Sequence, residues 1–416
     1  MRYLYTLTVL LYGLGIRLAS LFSTKARLWV GGRKQLFSRL EDQLGKPDKT
    51  AWFHCASLGE FEQGRPVIEA FREKHPEFKI LLTFFSPSGY EIRKDYPLAD
   101  IITYLPLDTP SHVKRFLDIT RPEMVFFIKY EYWYNFIRQL KQRGIPIYII
   151  SGIFRSHQHF FRWYGGWFRK QLQNITCFFL QNKESVELLH SIGIDKALLS
   201  GDTRFDRVFA IAARPKAFPL VESFSKEIPV ILFGSTWPED EAVFLPLIRK
   251  NNDRAKFIIA PHEVYEERIS EIIQKSGITA VRFSDLKEIP DPSVRLIVVD
   301  SIGQLSSLYQ YADIAYIGGG FGKGIHNILE AATFGLPVIF GSNYQKFLEA
   351  KELIDLQGAW SIASSGELEF LVTGLLADES KRKATGAVCM DYIQSHTGAT
   401  QIILKTLSSI LSDDHA

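Results

Sequence analysis

Two successive series of short, β-rich apolar runs, each run followed by a polar stretch of helical period, constrain this chain more than any other feature. The first series occupies residues 50–55, 78–85, 101–105, 124–129, 146–151, 176–181 and 197–200, and the second 229–233, 256–260, 280–283, 295–299, 314–317 and 337–340. Strands buried on both faces of a parallel sheet read as continuous apolar runs, and joining parallel neighbours takes a crossover, usually a helix. The pattern therefore predicts an α/β chain of two Rossmann-like domains. A length of 416 residues suits two cores better than one. Between 206 and 228 the rhythm lapses and Pro215, Pro219 and Pro229 punctuate the chain. The expected division is thus a first domain at 31–207, a linker at 208–228, a second domain at 229–380, and closing helices at 381–416 that cross back to the first domain. In such sheets ligands bind beyond the carboxyl ends of the strands, so function is expected in the strand-to-helix loops.

Ahead of the first series, residues 3–22 form an apolar run with Arg17 its only charge. Lys25, Arg27, Arg33, Lys34 and Arg39 follow it, and a positive flank stays on the cytoplasmic side. Residues 1–30 are therefore expected to form a membrane-associated anchor helix, crossing the inner membrane or lying on it, with the body on the cytoplasmic side. Residues 154–170 mix Arg155, Arg162, Arg169 and Lys170 with seven aromatic side chains, which suits anionic headgroups or equally a helix packed on its own domain. A net charge of +3 is too small for a general nucleic-acid binder. Cys55, Cys177 and Cys389 are too scattered for a disulfide framework or zinc set and read as buried thiols.

Three loops of the first series carry candidate chemistry. In His54-Cys55-Ala56-Ser57-Leu58-Gly59-Glu60, with a helix opening near Phe61, Glu60 reads either as a carboxylate favouring the helix dipole or as a general base at the mouth of a cleft. In the next loop Ser86 and Ser88, with Gly89, read as helix caps whose neighbouring amides could also face a substrate carboxylate. Glu131, in Lys129-Tyr130-Glu131-Tyr132-Trp133-Tyr134-Asn135, ends a buried strand, where a carboxylate serves a ligand or a fixed partner. In the second series Ser235 and Thr236 precede an acidic helix start, and Pro261 and His262 end the following strand. The most informative stretch is 318–330: Gly319 and Gly320 lie among five glycines, Lys323 offsets phosphate charge, and Asn327 and Glu330 close the segment. It is neither a P-loop nor a dinucleotide fingerprint. No cluster has metal-ligand spacing, so neither metal nor other cofactor is expected.

Taken together, Ser57-Leu58-Gly59-Glu60, the 83–89 loop, Tyr104-Leu105-Pro106-Leu107-Asp108, Glu131 with Trp133 and Asn135, Gly201 through Asp206, Gly234-Ser235-Thr236 and 318–330 resemble the Kdo (3-deoxy-D-manno-octulosonic acid) transferases along nearly the whole chain. The resemblance implies a GT-B fold and inverting transfer of Kdo from CMP-Kdo to a lipid A precursor in lipopolysaccharide assembly. It further implies a base at Glu60, a sugar-site role for Glu131, and CMP contacts from Ser235, Thr236, Pro261, His262, Gly319, Gly320, Asn327 and Glu330. Two features depart from the family pattern. Its Glu-Thr-Glu-Leu-Trp-Pro-Asn run is kept here only at Glu131, Trp133 and Asn135, and His262 stands where an arginine is common. The alternatives are a GT-B transferase or epimerase using a UDP-sugar, and a non-catalytic membrane scaffold.

Overall fold

The computed structural model describes residues 1–45 and 49–413. The chain divides into two compact units, Met1–Arg207 with Thr397–Ala416, and Val208–His396.

The first unit is built on strands β1 (Thr50–Cys55), β2 (Lys79–Phe84), β3 (Ile101–Tyr104), β4 (Met124–Ile128), β5 (Ile147–Gly152), β6 (Cys177–Leu180) and β7 (Ala197–Leu199). They lie in the order β3-β2-β1-β4-β5-β6-β7, every neighbour parallel. Alternation of side chains splits the core in two. Trp52, Leu81, Val125 and Phe127 join one apolar cluster, whereas Phe53, Cys55, Leu82 and Phe126 join the other. The second unit repeats the plan with β8 (Val230–Thr236), β9 (Lys256–Pro261), β10 (Ala280–Arg282), β11 (Leu296–Val298), β12 (Ile314–Ile317), β13 (Val338–Gly341) and β14 (Ala359–Ile362). Their order is β10-β11-β9-β8-β12-β13-β14, again all parallel. In each sheet the winding reverses beside the first strand, so the loops after β1 and β4, and after β8 and β12, diverge and leave a crevice.

Three expectations need correcting. First, β14 is an edge strand that the apolar pattern did not disclose. Second, the 208–228 segment, expected as a linker, is mostly helical: helices Thr203–Ala213 and Pro219–Phe224 occupy most of it, with Val221 and Phe224 buried and Pro219 at a first helical turn, where its missing N–H costs nothing. Third, the amino-terminal helix is not a membrane span. Among the described residues no helix is long and apolar enough to cross a bilayer. The helix α1 (Arg2–Ala19) stops short of Leu21 and Phe22, and Ser23 caps the next helix, α2 (Thr24–Gly32), which leads to α3 (Leu36–Leu44). One face of α1 packs on its own unit. Tyr5 Oη donates to Asp108 (2.6 Å), Val9 is buried, and Gly13 lies where a Cβ would stand 2.7 Å from Leu107. Arg33, one of the basic flank, is also drawn inward and donates to the carbonyls of Phe85 and Leu105 (both 2.9 Å). The 154–170 segment is likewise partly core, with Phe154 and Phe160 buried and Trp163 exposed. All three cysteines are buried and free.

Of the closing 381–416 segment, 414–416 lie outside the described residues. The helix Ala399–Asp413 belongs to the first unit, where Ile403 and Leu407 enter the cluster around Phe53 and Phe71. Asp206 caps its start, accepting from the amides of Gly398 and Thr400 (both 2.6 Å). Replacing that carboxylate leaves two amides at a helix start without their partner, and lost caps cost ~1–2 kcal/mol. Asp206→Ala is therefore expected to lower first-unit stability by about that amount in a urea melt, with the sheet circular dichroism retained; an unchanged midpoint would refute the assignment.

Candidate active site

In the first unit the site grows from the ends of β1 and β4. The helix following β1, α4 (Leu58–Lys74), opens three residues earlier than its sequence suggests, so Glu60 lies within its first turn. There it completes a capping box: the Ser57 amide donates to Glu60 Oε2 (3.0 Å). The helix-start reading of Glu60 is thus a physical fact, yet it does not exhaust the residue. Burial first, then the neighbouring charge of Glu131, lift the Glu60 carboxyl to about 7, against the pull of amides at 56 and 57 and of Lys129. A carboxyl poised there exchanges protons readily near neutral pH.

Glu131 is held by two ring groups. Trp133 Nε1 donates to its Oε2 (2.6 Å), and His54 Nε2 lies 3.1 Å from the same oxygen. His54 is fully buried; its Nδ1 is 2.8 Å from Thr83 Oγ1, which also accepts from Trp52 Nε1 (2.8 Å). The sequence reading missed His54, although a histidine inside an otherwise apolar strand was a visible anomaly. Asn135 and Asp108 from the matched motifs have a structural role. Asp108 accepts from the amides of Asn135 and Phe136 (both 3.0 Å) and fixes the turn carrying Glu131. A cavity of about 310 Å³ opens beside Glu131, walled by Tyr130, Trp133, Tyr134, Trp167 and Tyr5.

Ser86 caps α5 (Pro87–Arg93), accepting from the Ser88 amide (3.3 Å), and the two hydroxyls lie 3.0 Å apart. Gly89 gives room for Phe84 and the Ser57 backbone. Gly59 is different. No heavy atom stands within 4 Å of where its Cβ would be, so nothing in the fold calls for glycine beside Glu60.

In the second unit the glycines of 318–330 serve the protein's own backbone. A Cβ on Gly318 would meet the Ser235 carbonyl at 2.3 Å, and one on Gly320 would meet Gly341 at 2.5 Å. The Gly319 amide donates to the buried Asp240 (2.8 Å), which also accepts from the Trp237 amide (2.9 Å) and Tyr316 Oη (3.0 Å). Asp240, another residue missed from sequence, thereby ties the loop after β12 to the loop after β8. Thr236 points inward: its hydroxyl donates to Glu241, which pairs with buried Arg268, so the side chain is not presented to a ligand. Pro261 is buried as the last residue of β9. Ser235 takes a left-handed backbone (φ 55°), Lys323 is exposed, and Asn327 Nδ2 donates to Glu330 Oε1 (3.1 Å) on the one-turn helix Leu329–Ala332, shorter than its sequence suggests. Exposed His262 stacks on Trp237 (4.5 Å) and on His326 (4.6 Å). Trp237 Nε1 donates to His326 Nε2 (2.9 Å), and burial with the nearby His262 pulls His326 down to about 4. His326 is therefore neutral, with its proton on Nδ1.

Residues 32–207 match the family described as 3-deoxy-D-manno-octulosonic-acid transferase (kdotransferase). A 3-deoxy-D-manno-octulosonic acid transferase of Haemophilus influenzae is 27% identical over 379 residues, 88% of this chain and 88% of its own. Over most of its length the chain is thus similar to the Kdo transferases. A second relative of the same description, from Rickettsia bellii, is 29% identical over 345 residues, 80% of either chain. Among solved structures, UDP-GlcNAc 2-epimerase from Neisseria meningitidis bound to UDP-GlcNAc superposes with a TM-score of 0.60 at 17% identity, over 86% of this chain and 99% of that one. That likeness concerns the fold alone and agrees with two parallel α/β sheets of GT-B type.

The electrostatics at Glu60 set a direction for the pH dependence. If Glu60 works deprotonated, kcat/KM rises with pH through about 7 and levels off above it. Glu131→Gln removes the charge that opposes Glu60 ionisation, so the acid limb of the profile should move to lower pH. An acid limb that stays in place would show that Glu131 does not act on Glu60.

Proposed function

We propose that the chain transfers Kdo from CMP-Kdo to a lipid A precursor, lipid IVA, in lipopolysaccharide biosynthesis, with inversion and without a metal, at the cytoplasmic face of the inner membrane. The observation that carries the reading is the Glu60 carboxyl, lifted to about 7 beside Glu131 at the switch point of the first sheet. In the proposed step an acceptor hydroxyl loses its proton to Glu60 as its oxygen bonds to the anomeric carbon of Kdo. The bond from that carbon to the phosphate oxygen breaks on the opposite side, and CMP leaves with the electron pair. A single displacement inverts the anomeric centre and needs one base and a stabilised leaving group. For the leaving phosphate this chain offers Lys323, the Nδ1–H of neutral His326 and amides of the 318–330 loop. Ser235, Asn327 and Glu330 lie at the switch-point ends of β8 and β12, and His262 on the loop after β9 stacks beside them on Trp237 and His326, the places where a CMP moiety would be held.

Membrane contact is supported by the outer side of α1, where Leu4, Leu7, Leu11, Leu14 and Leu18 are each more than half exposed. Phe22 and Trp163 are over nine-tenths exposed. An amphipathic helix with such a face lies in the plane of an interface. Arg155 and Arg162, flanking this aromatic segment, suit the headgroup region.

Two variants test the chemistry. Glu60→Gln should keep the fold and CMP binding yet lower transfer about 100- to 10,000-fold, the usual contribution of a general base; near-wild-type turnover with CMP-Kdo and lipid IVA would remove Glu60 from the mechanism. Gly59→Ala should raise stability by about 0.5–1 kcal/mol through helix propensity while weakening transfer, if the space beside Glu60 is kept for the acceptor. Equal activity of that variant would mean the space is incidental. CMP should raise Tm and UDP should not; the reverse ranking would favour a UDP-sugar enzyme.

A further inference from the structure

A second cavity in the first unit has no part in the reaction above. It holds about 380 Å³ between the end of α1, the corner joining α2 to α3, and the loop from β3 to α6 (Pro110–Thr120). Its walls carry Arg17, Arg33, Lys34 and His112, and among the described residues no carboxylate lines it. The fold brings these groups together for identifiable reasons. Val9 and Gly13 form the buried line of α1, and Arg17 falls four residues further along the same face. Arg17 and Leu107 both line the cavity. Gln35 takes a left-handed backbone (φ 52°) that turns the chain sharply between Lys34 and Leu36. His112 sits in the first turn of α6, its amide bound by the Thr109 hydroxyl and its ring against Phe37 (5.7 Å).

None of this positive charge is neutralised within the cavity. Arg33 is bound to carbonyl oxygens and lies over the Trp29 ring at 3.7 Å. The neighbouring Arg115 is paired with Glu41 (3.2 Å). One buried polar atom of the lining also lacks a protein partner, the indole Nε1 of Trp29, a residue only 6% exposed; the His112 ring meets the Leu107 carbonyl. Buried polar atoms almost always have a partner, so an orphan indole N–H donor in a cationic hollow points to an anion. Burial first, then the cations Arg17 and Arg115, hold His112 below its usual range against the pull of the Leu107 carbonyl.

The rest of the lining limits which anion fits. Trp29, Val30, Leu36, Phe37, Pro106 and Leu107 are a poor setting for a free hydrated ion. Leu14, Leu18 and Leu21, which flank Arg17 along the chain, are all exposed. We propose that this cavity binds the phosphate group of a lipid at the membrane surface, the cations taking the phosphate while the exposed leucines of α1 meet the acyl region. The proposal rests on the membrane-surface reading given above and adds a defined headgroup site to it.

The test uses the full chain. Arg17→Gln with Lys34→Gln removes two exposed charges, which leaves the fold intact by Tm, and should weaken binding to phosphatidylcholine vesicles containing phosphatidylglycerol about 30-fold, at ~1 kcal/mol per basic residue. Binding to phosphatidylcholine alone should not change. Lys287→Gln with Lys381→Gln, an equal charge loss on the second unit, should leave both unchanged. If the cavity variant binds like wild type, the site is refuted while the membrane reading stands. If wild type binds neither vesicle, the membrane reading fails, and the headgroup site is decided by the soluble probe. Dihexanoyl phosphatidic acid below its micelle concentration should shift the Trp29 indole and His112 imidazole resonances and raise the His112 pKa. Absence of those shifts overturns the proposal. Equal shifts with inorganic phosphate at the same concentration overturn its lipid part. Competition of the probe by lipid IVA or by phosphatidylglycerol tells whether acceptor or bulk lipid supplies the phosphate, and either supports it.

Discussion

The contact between His54 and Glu131 joins the ends of β1 and β4 at the place where the first sheet reverses its winding. Everything proposed for Glu60 depends on it. The capping box alone would stabilise a negative carboxylate, since the Ser57 amide favours the charged form. Only the burial of the turn and the charge of Glu131 push the other way, and Glu131 keeps its position because His54 and Trp133 grip one of its oxygens. The second unit uses the same device without a titrating partner. Asp240 crosses from the loop after β8 to the Gly319 amide of the loop after β12, fixing a glycine-rich segment whose own side chains could not do so.

Much of this was legible in the sequence, and the misses have physical causes. A parallel strand covered on both faces needs apolar residues at every position, which is why the interior strands stood out. Strand β14 did not, because at a sheet edge Trp360 and Ser361 are only partly buried and four residues give little pattern. Pro219 was taken as a break, yet proline at a first helical turn starts a helix as readily as it ends one. The 57–60 stretch carries the S-x-x-E signature of a capping box, so the true start of α4 could have been found from Ser57. Glycine spacing in 318–330 has two readings, since backbone meeting backbone, as at Gly318 and Gly320, needs the same residue as backbone meeting phosphate. No periodicity could have found Asp240 or the inward turn of Thr236, because both depend on pairing across the sheet.

The apolar run at the amino terminus shows a different limit. Composition reports how much apolar surface a helix carries, not how that surface is shared between protein and surroundings. Here Val9 and Gly13 face the unit while the leucines on the far side stay exposed, so one helix is both part of the body and its most apolar exterior. A small residue at 13 makes this division possible by letting the helix axis approach Leu107.

That docking also carries information inward. Tyr5 on α1 donates to Asp108, and Asp108 holds the amides of Asn135 and Phe136 that begin the helix after Glu131. Burial raises the Asp108 carboxyl to about 6, while the bonds from Tyr5 and the two amides favour its charged form. Removing Tyr5 would therefore weaken the carboxylate on which the turn depends. Tyr5 also lines the cavity beside Glu131 and packs against Tyr134 and Trp167. The helix proposed to meet lipid and the turn that presents Glu131 are consequently one packed assembly. Lifting α1 from the unit would break the Tyr5 bond and open that cavity wall, so the position of the helix and the turn carrying Glu131 are linked through Tyr5 and Asp108.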